Sequence, residues 1–232
     1  MSTAETTGGA VDPDEGWMYR VGGVSALALG LAYVAIFPLY AHVGAPPSGG
    51  GDAWLEYLAG KTTIWWAILG LSVLTDFLFV PVALALYLAL QRLNRSAMLL
   101  ATALVGLFVV LDLAVTWSSY ASLLTLSARH AAATNDIQRA ACVAAAHHAS
   151  AVLASRLEIV YAIVVLSSGI LMIGVVMLKG VFGKATAYLG LITGILGIVS
   201  VAGWSVTIIM NAVAATVWVL LVAYRLWRLG RP

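Results

Sequence analysis

The chain has 232 residues, of which 62% are hydrophobic and 9% are charged. Soluble proteins have roughly one-quarter charged residues, so this composition indicates a membrane protein and excludes an ordinary soluble domain. The formal net charge of +2 is close to neutral, which gives no reason to expect a nucleic-acid partner. A single cysteine, Cys142, excludes internal disulfides and cysteine-rich metal sites.

Six apolar runs predict an all-α, polytopic membrane protein with six transmembrane helices. Each run is long enough to cross a hydrocarbon core of about 30 Å. The runs cover about 21–43, 62–90, 96–126, 159–178, 185–204 and 206–226. Residues 1–19 are predicted to be a disordered cytoplasmic tail, 20–228 the transmembrane domain and 229–232 a C-terminal tail.

Two segments between the runs are predicted to be helical. After a Pro- and Gly-rich breaker, Asp52 is the expected N-cap of a short amphipathic helix. The Ala-rich segment further along predicts an outer helix over about 134–157, with Asn135 and Gln138 as a capping box. If this outer helix continued without a break to residue 178, it would be ~65 Å long. Its outer half would therefore stand in water, pack on other loops or break.

Lys and Arg beside the runs predict that both termini are cytoplasmic. Eight fall on the side of the termini, at Arg20, Arg92, Arg95, Lys179, Lys184, Arg225, Arg228 and Arg231. The other side has Lys61, Arg129, Arg139 and Arg156. The expected location is the cell inner (plasma) membrane, as a multi-pass protein.

Asp76 and Asp112 are acids deep inside the second and third runs, which a short polar turn joins. Such a turn makes the two helices antiparallel neighbours, and the acids lie at similar distances on either side of it. We therefore expect them at one depth near the middle of the bilayer, with helix rotation deciding whether they face each other. Two acids without a basic partner are costly there and usually mark a site. At least one is expected to be protonated unless a cation is bound.

Other polar residues predict a cleft that opens outward from these acids. Asp112, Thr116, Ser119 and Tyr120 share one face of a helix. His147, Glu158 and Tyr161 are expected at the cleft's mouth. The predicted ligand-binding residues are Asp76, Asp112, Thr116, Tyr120, Glu158, Tyr161, Trp65 and Asn211. Candidates for catalysis are Asp76, Asp112 and Glu158, and neither a metal site nor a cofactor is predicted.

Structural roles are the alternative for each of these residues. Protonated acids inside membranes also tie helices together by hydrogen bonds, and Glu158 is placed to form an interfacial ion pair with Arg156. Gly190, Gly194 and Gly197 have a spacing that favours close helix packing.

Several stretches resemble a bacterial membrane family. They are VALALYLALQRLNR at the end of the second run, LLTLS at the end of the third and KGVFGKATAYLGLITGILGI entering the fifth. The chain resembles the domain of unknown function four-three-eight-six family over about residues 20–228. The resemblance implies six helices and brings no established substrate or catalytic residue.

Three functions are consistent with the sequence. The first is binding of a small or lipidic ligand in the cleft, for transport or sensing. The second is a membrane enzyme that acts on a lipid or isoprenoid by carboxylic-acid catalysis, with rings of Trp65, Trp66, Trp117, Tyr120 or Trp204 stabilising a cation. The third is a structural or regulatory subunit with a membrane-protein partner or a second copy of the chain. Of these three functions, the sequence favours the two that are not enzymatic. The lipid bilayer is the partner expected for all three.

The topology makes Cys142 a test of the predicted crossings. In intact cells, a membrane-impermeant thiol reagent should label Cys142 from the outside, because three crossings separate it from the cytoplasmic N-terminus. Labelling only after the cytoplasmic face is exposed would require a different number of crossings before Cys142.

Overall fold

Eight helices make up the regular structure in a computed structural model that describes residues 13–180, 182–202 and 205–231. They are α1 Pro13–Val43, α2 Gly51–Leu58, α3 Thr62–Leu90, α4 Arg95–Ala132, α5 Asp136–Leu153, α6 Arg156–Met177, α7 Lys184–Val199 and α8 Ser205–Leu229. Two of them contain a π-helical segment, Asp112–Trp117 in α4 and Val160–Val164 in α6.

Six of these helices are long and apolar enough to cross a membrane, which confirms the predicted fold class. They are α1, α3, α4, α6, α7 together with the 3-10 turn Ser200–Ala202 that continues it, and α8, and each overlaps one of the six predicted runs. The side of the membrane on which the termini lie stays a prediction.

The first helix begins earlier than predicted. It starts at Pro13, so residues 13–19 of the predicted tail are helical. Proline is favoured at the first helical position because its missing N–H would have no partner there in any case. The rest of the predicted tail, residues 1–12, lies outside the described residues.

The six long helices form a closed ring. Going around it, α1 contacts α3, α3 contacts α4, α4 contacts α6, α6 contacts α7, α7 contacts α8, and α8 contacts α1. Buried apolar side chains fill one half of the ring, among them Phe79, Leu86, Met98, Ile170 and Trp218. This packing leaves room for a cavity in the other half.

Helices α2 and α5 cover one end of the ring, which we call the capped end. They contact each other and bury Trp54, Leu55 and Ala146 against Leu123 and other residues at the ends of α3 and α4. The predicted outer segment is thus a helix packed on another loop.

The predicted outer helix ends sooner than residue 157, because the chain turns after Leu153. The side chain of Ser155 then caps α6 by accepting a hydrogen bond from the Glu158 N–H at 3.3 Å. At the other end the Asn135 cap is confirmed: its Oδ1 accepts from the Gln138 N–H at 2.9 Å. Gln138 Oε1 accepts from the N–H of Thr134, one residue before the cap.

Asp52 is not the N-cap of α2, which starts two residues earlier than that cap requires, at Gly51 with Gly50 as its cap. The Gly50 position has no side chain to accept a hydrogen bond. His147 on α5 supplies the acceptor instead, because its Nδ1 accepts from the Gly51 N–H at 3.1 Å. This bond fixes α2 to α5.

The glycines of α7 pack as predicted. A Cβ at Gly194 would lie 2.5 Å from the Leu171 Cβ and 2.8 Å from its Cα, and one at Gly190 would lie 3.3 Å from the Gly174 Cα. Close approach of α6 and α7 therefore depends on these positions having no side chain.

Replacing Gly194 by alanine should destabilise the protein by about 1–3 kcal/mol, because the Leu171 backbone cannot move aside without separating α6 and α7. Gly106→Ala is the matched control, since a Cβ there has nothing within 4 Å. Thermal unfolding in detergent should show a lower Tm for the first variant only. Equal Tm values for the two variants would contradict the packing argument.

Candidate functional site

A cavity of about 830 Å³ lies inside the ring, in the half nearer the capped end. All six long helices contribute to its wall. Its polar and aromatic lining residues are Tyr33, Phe37, Tyr40, Ser72, Thr75, Asp76, Phe108, Asp112, Thr116, Trp117, Tyr120, Glu158, Ser167, Thr193 and Asn211. The volume is within the range of about 300–1,000 Å³ found for small-molecule sites.

The charged lining residues in the described part of the chain are all acidic. They are Asp76, Asp112 and Glu158. Asp76 and Asp112 are only 2% and 4% exposed, whereas Glu158 is half-buried. The wall of the cavity therefore carries carboxyl groups and no Lys, Arg or His among its described residues.

Asp76 has a hydrogen-bond donor from the neighbouring helix. The indole Nε1 of Trp117 on α4 donates to Asp76 Oδ2 on α3 at 2.9 Å. This bond places Asp76 beside the segment that contains Asp112, as expected for two acids at one depth.

The π-helical segment Asp112–Trp117 explains how Trp117 reaches this position. In a π-turn the backbone bonds join residues five apart, so the turn is wider than in an α-helix. Asp112, Thr116 and Trp117 consequently all line the cavity. Ser119, predicted on the same face, instead donates its hydroxyl to the Val115 carbonyl at 2.7 Å and is absent from the lining.

Three buried oxygen atoms in the cavity wall form no hydrogen bond of standard geometry, although the Thr116 hydroxyl and the Trp117 indole lie near enough to the Asp112 carboxyl to interact with it. The three atoms are Asp112 Oδ1, Thr116 Oγ1 and Thr193 Oγ1, and their residues are 4%, 3% and 0% exposed. Most buried polar atoms in proteins are paired with protein or ordered water. Three orphaned atoms around one cavity therefore indicate that water, an ion or a ligand completes their hydrogen bonding.

Six of the eight predicted ligand-binding residues line this cavity: Asp76, Asp112, Thr116, Tyr120, Glu158 and Asn211. Asn211 also joins two helices, because its Nδ2 donates to the Thr193 carbonyl at 2.7 Å. Their role in binding stays a prediction.

Trp65 and Tyr161 are not among the lining residues. Trp65 is fully buried behind the wall, where its ring stacks on that of Tyr120 with centroids 5.2 Å apart. Rotation of α3 thus places Trp65 in the packing under the capped end. Tyr161 lies in the second π-helical segment, where the wider turn changes which side chains face the cavity.

His147 lies outside the cavity, and Glu158 lies in its wall without the alternative ion pair. His147 is not in the lining, because its ring accepts the Gly51 N–H that fixes α2. Glu158 lies in the cavity wall and forms no ion pair with Arg156. Trp204, an aromatic candidate of the enzyme hypothesis, lies outside the described residues.

The contribution of α1 to the cavity was not predicted. Tyr33, Phe37 and Tyr40 line it, and their spacing of four and three residues puts them on one helix face. That spacing of aromatic residues was the available signal, but two tyrosines in an apolar run are equally typical of packing.

The chain matches no protein-family model, no curated protein and no solved structure.

Changing Trp117 to phenylalanine should lower the free energy of unfolding by about 1–3 kcal/mol, because Asp76 Oδ2 loses its donor. Trp66→Phe is the control, since Trp66 is 47% exposed on the outer surface of the ring. Chemical unfolding in mixed micelles would measure both. In an Asp76→Leu background the Trp117 substitution should cost less, and an equal cost in both backgrounds would contradict a contribution from this bond.

Proposed function

We propose that this protein binds a small or lipidic ligand in the cavity, with Asp76 and Asp112 at the deep end of the site. Transport or sensing of that ligand is the use we infer. The location we propose is the bacterial inner membrane, with both termini cytoplasmic and the capped end outside. Membership of the domain of unknown function four-three-eight-six family stays a prediction.

The observation that carries the proposal is the set of orphaned oxygen atoms in one cavity. Asp112, Thr116 and Thr193 come from α4 and α7, two helices on different sides of the ring, yet each presents an unpaired oxygen there. A purely structural acid would be expected to have paired both oxygens with protein donors. Asp76 fits that structural role better than Asp112, because Trp117 already donates to it.

The structural-subunit hypothesis has less support. Its two candidate partner surfaces are the Gly face of α7 and the outer Ala-rich helix, and the first is occupied, because Gly190 and Gly194 pack against α6 of the same chain. The enzyme hypothesis keeps one supporting feature, because Asp112 lies in the same wall as the rings of Trp117 and Tyr120. An acid beside aromatic rings is suited to protonating an apolar substrate and stabilising a cation.

Filling the cavity should remove the ligand. Ala215 lines the cavity, so Ala215→Phe should reduce the amount of any molecule that co-purifies with the protein. Val217→Phe is the matched control on the same helix, because Val217 is 45% exposed and is not in the lining.

The measurement is untargeted mass spectrometry of organic extracts from equal amounts of each purified protein. The proposal expects at least one molecule enriched with the wild type and the control but depleted with Ala215→Phe. Identical extracts from all three proteins would count against a cavity ligand.

A further inference from the structure

The cavity combines an acidic interior with an apolar rim. The strongly exposed residues among its lining are Phe37, Ala41, the segment 44–46 and Ile209. None of these carries a charge. They belong to the end of α1, the loop that follows it and the start of α8, so the opening lies at that edge of the ring.

Helices α1 and α8 pack closely away from the capped end. A Cβ at Gly23 would lie 3.0 Å from the backbone nitrogen of Trp227, and one at Gly30 would lie 2.5 Å from the Leu220 Cδ2. These two pairs show that the helices are antiparallel, with a seven-residue step forward in α1 matching a seven-residue step back in α8.

The same register can be continued toward the capped end. One further step brings Phe37 level with Val213, and Ala41 comes level with Ile209. At this height both helices line the cavity, through Phe37 and Ala41 on α1 and Ile209 and Ala212 on α8. Because Phe37, Ala41 and Ile209 are also exposed, the cavity opens at the edge between α1 and α8 near the capped end.

Pro38 lies at this height in α1. Proline inside a helix cannot donate to the carbonyl four residues earlier, and its ring displaces that turn. A bend in α1 at Pro38 would help to separate α1 from α8 on the capped side of the tightly packed glycines.

Charge and hydrogen bonding indicate which chemical class fits the interior. Three carboxyl groups without a basic neighbour in the lining favour a cation over a neutral or anionic group. The orphaned oxygens of Asp112 and Thr116, four residues apart on α4, are acceptors for N–H donors. An ammonium group supplies the charge and three such donors, whereas a quaternary amine supplies the charge alone.

A metal ion fits the cavity less well than an organic cation. The described residues contain no group of three or more His, Cys, Asp or Glu arranged to hold a metal. Much of the wall is also apolar, including Ile36, Leu166, Ile170 and Ile208. Such a wall fits an alkyl chain.

We propose that the cavity takes a long-chain primary amine, which enters from the lipid between α1 and α8. Its ammonium group binds at Asp112 and Thr116, with Glu158 nearer the opening, and its alkyl chain extends through the gap into the bilayer. This inference rests on the proposed function and adds the class of ligand and its route.

A photoreactive dodecylamine with a diazirine in its chain tests the ligand class in phosphatidylcholine nanodiscs. Mass spectrometry should find adducts on lining residues of α1 and α8. Excess dodecylamine should compete, whereas dodecanol, dodecanoate and butylamine should not, because each lacks either the positive charge or the long alkyl chain. Dodecyltrimethylammonium should compete more weakly than dodecylamine, since it has no N–H.

Charge variants show whether the acids hold the amine. Asp112→Asn should reduce labelling of the cavity about tenfold, as expected for loss of one hydrogen bond to a charged group. Asp136→Asn is the control, because that carboxyl is exposed and pairs with Arg139 at 3.3 Å. Glu158→Gln, at a half-buried position, should also weaken labelling and keeps the test valid if Asp112→Asn does not fold.

A matched pair of tryptophan variants tests the route. Ala212 lines the cavity, whereas Met210 on the same helix is 52% exposed and is not in the lining. Ala212→Trp should slow or abolish labelling inside the cavity, and Met210→Trp should leave it unchanged. Equal labelling of both variants would overturn access between α1 and α8.

Two failures can be told apart. If dodecanol competes as well as dodecylamine and the acid variants label normally, the amine class is wrong while a cavity ligand remains supported. If no probe labels the cavity and the extracts of wild type and Ala215→Phe are also identical, the proposed function fails together with this inference.

Discussion

Carboxyl groups without basic partners in the interior of a six-helix ring are the constraint on which this structure depends. In hydrocarbon such a group must be protonated, hydrogen-bonded, hydrated or paired with a cation, because an isolated charge there is very costly. The chain uses the second solution for Asp76, whose Oδ2 accepts the Trp117 indole N–H. It leaves Oδ1 of Asp112 without a hydrogen bond of standard geometry. The two acids therefore differ in their hydrogen bonding.

The packing of the helices under the capped end makes this difference between Asp76 and Asp112 possible. Trp65 and Tyr120 stack, Trp54 packs on both rings edge-on, and α2 and α5 cover them. This aromatic cluster fixes the ends of α3 and α4, so that Trp117, one turn before Tyr120, is held against Asp76. Bonds from Tyr57 to the Gly44 carbonyl at 2.8 Å and from Lys61 to the Val43 carbonyl at 3.0 Å fix the loop at the cavity's opening. The cap is thus connected both to the acids and to the rim.

The long-range features of this fold were predictable from the sequence, whereas local departures from helix geometry were not. Hydropathy located six spans, and the short turn between α3 and α4 placed Asp76 and Asp112 at one height without any knowledge of packing. The rotation of each helix about its own axis decided which side chains face the cavity. Trp65 was expected in the cavity but packs behind Tyr120. Residue spacing along one helix shows which side chains share a face, but it does not show which face points to the centre of the ring.

The π-helical segment is the clearest example of a feature that residue spacing in the sequence could not predict. A regular α-helix puts Asp112, Thr116, Ser119 and Tyr120 on one face, and this pattern predicted Ser119 in the cleft. The wider turn at Asp112–Trp117 replaces Ser119 with Trp117, and so supplies the donor that Asp76 requires. No propensity rule identifies such a turn in advance. The indole hydrogen bond to Asp76 is a tertiary contact that this segment makes possible.

The position of the cavity follows from an asymmetry within α1. Gly22, Gly23 and Gly30 lie in the part of the helix away from the cap, where a Cβ would meet Ala85, Trp227 and Leu220 respectively. Nearer the cap the same helix carries Tyr33, Phe37 and Tyr40, whose rings line the cavity. Small residues allow close helix approach and bulky ones hold helices apart. The ring is therefore closed at the glycines and open at the aromatic residues, and the acids of α3 and α4 lie where the open part begins.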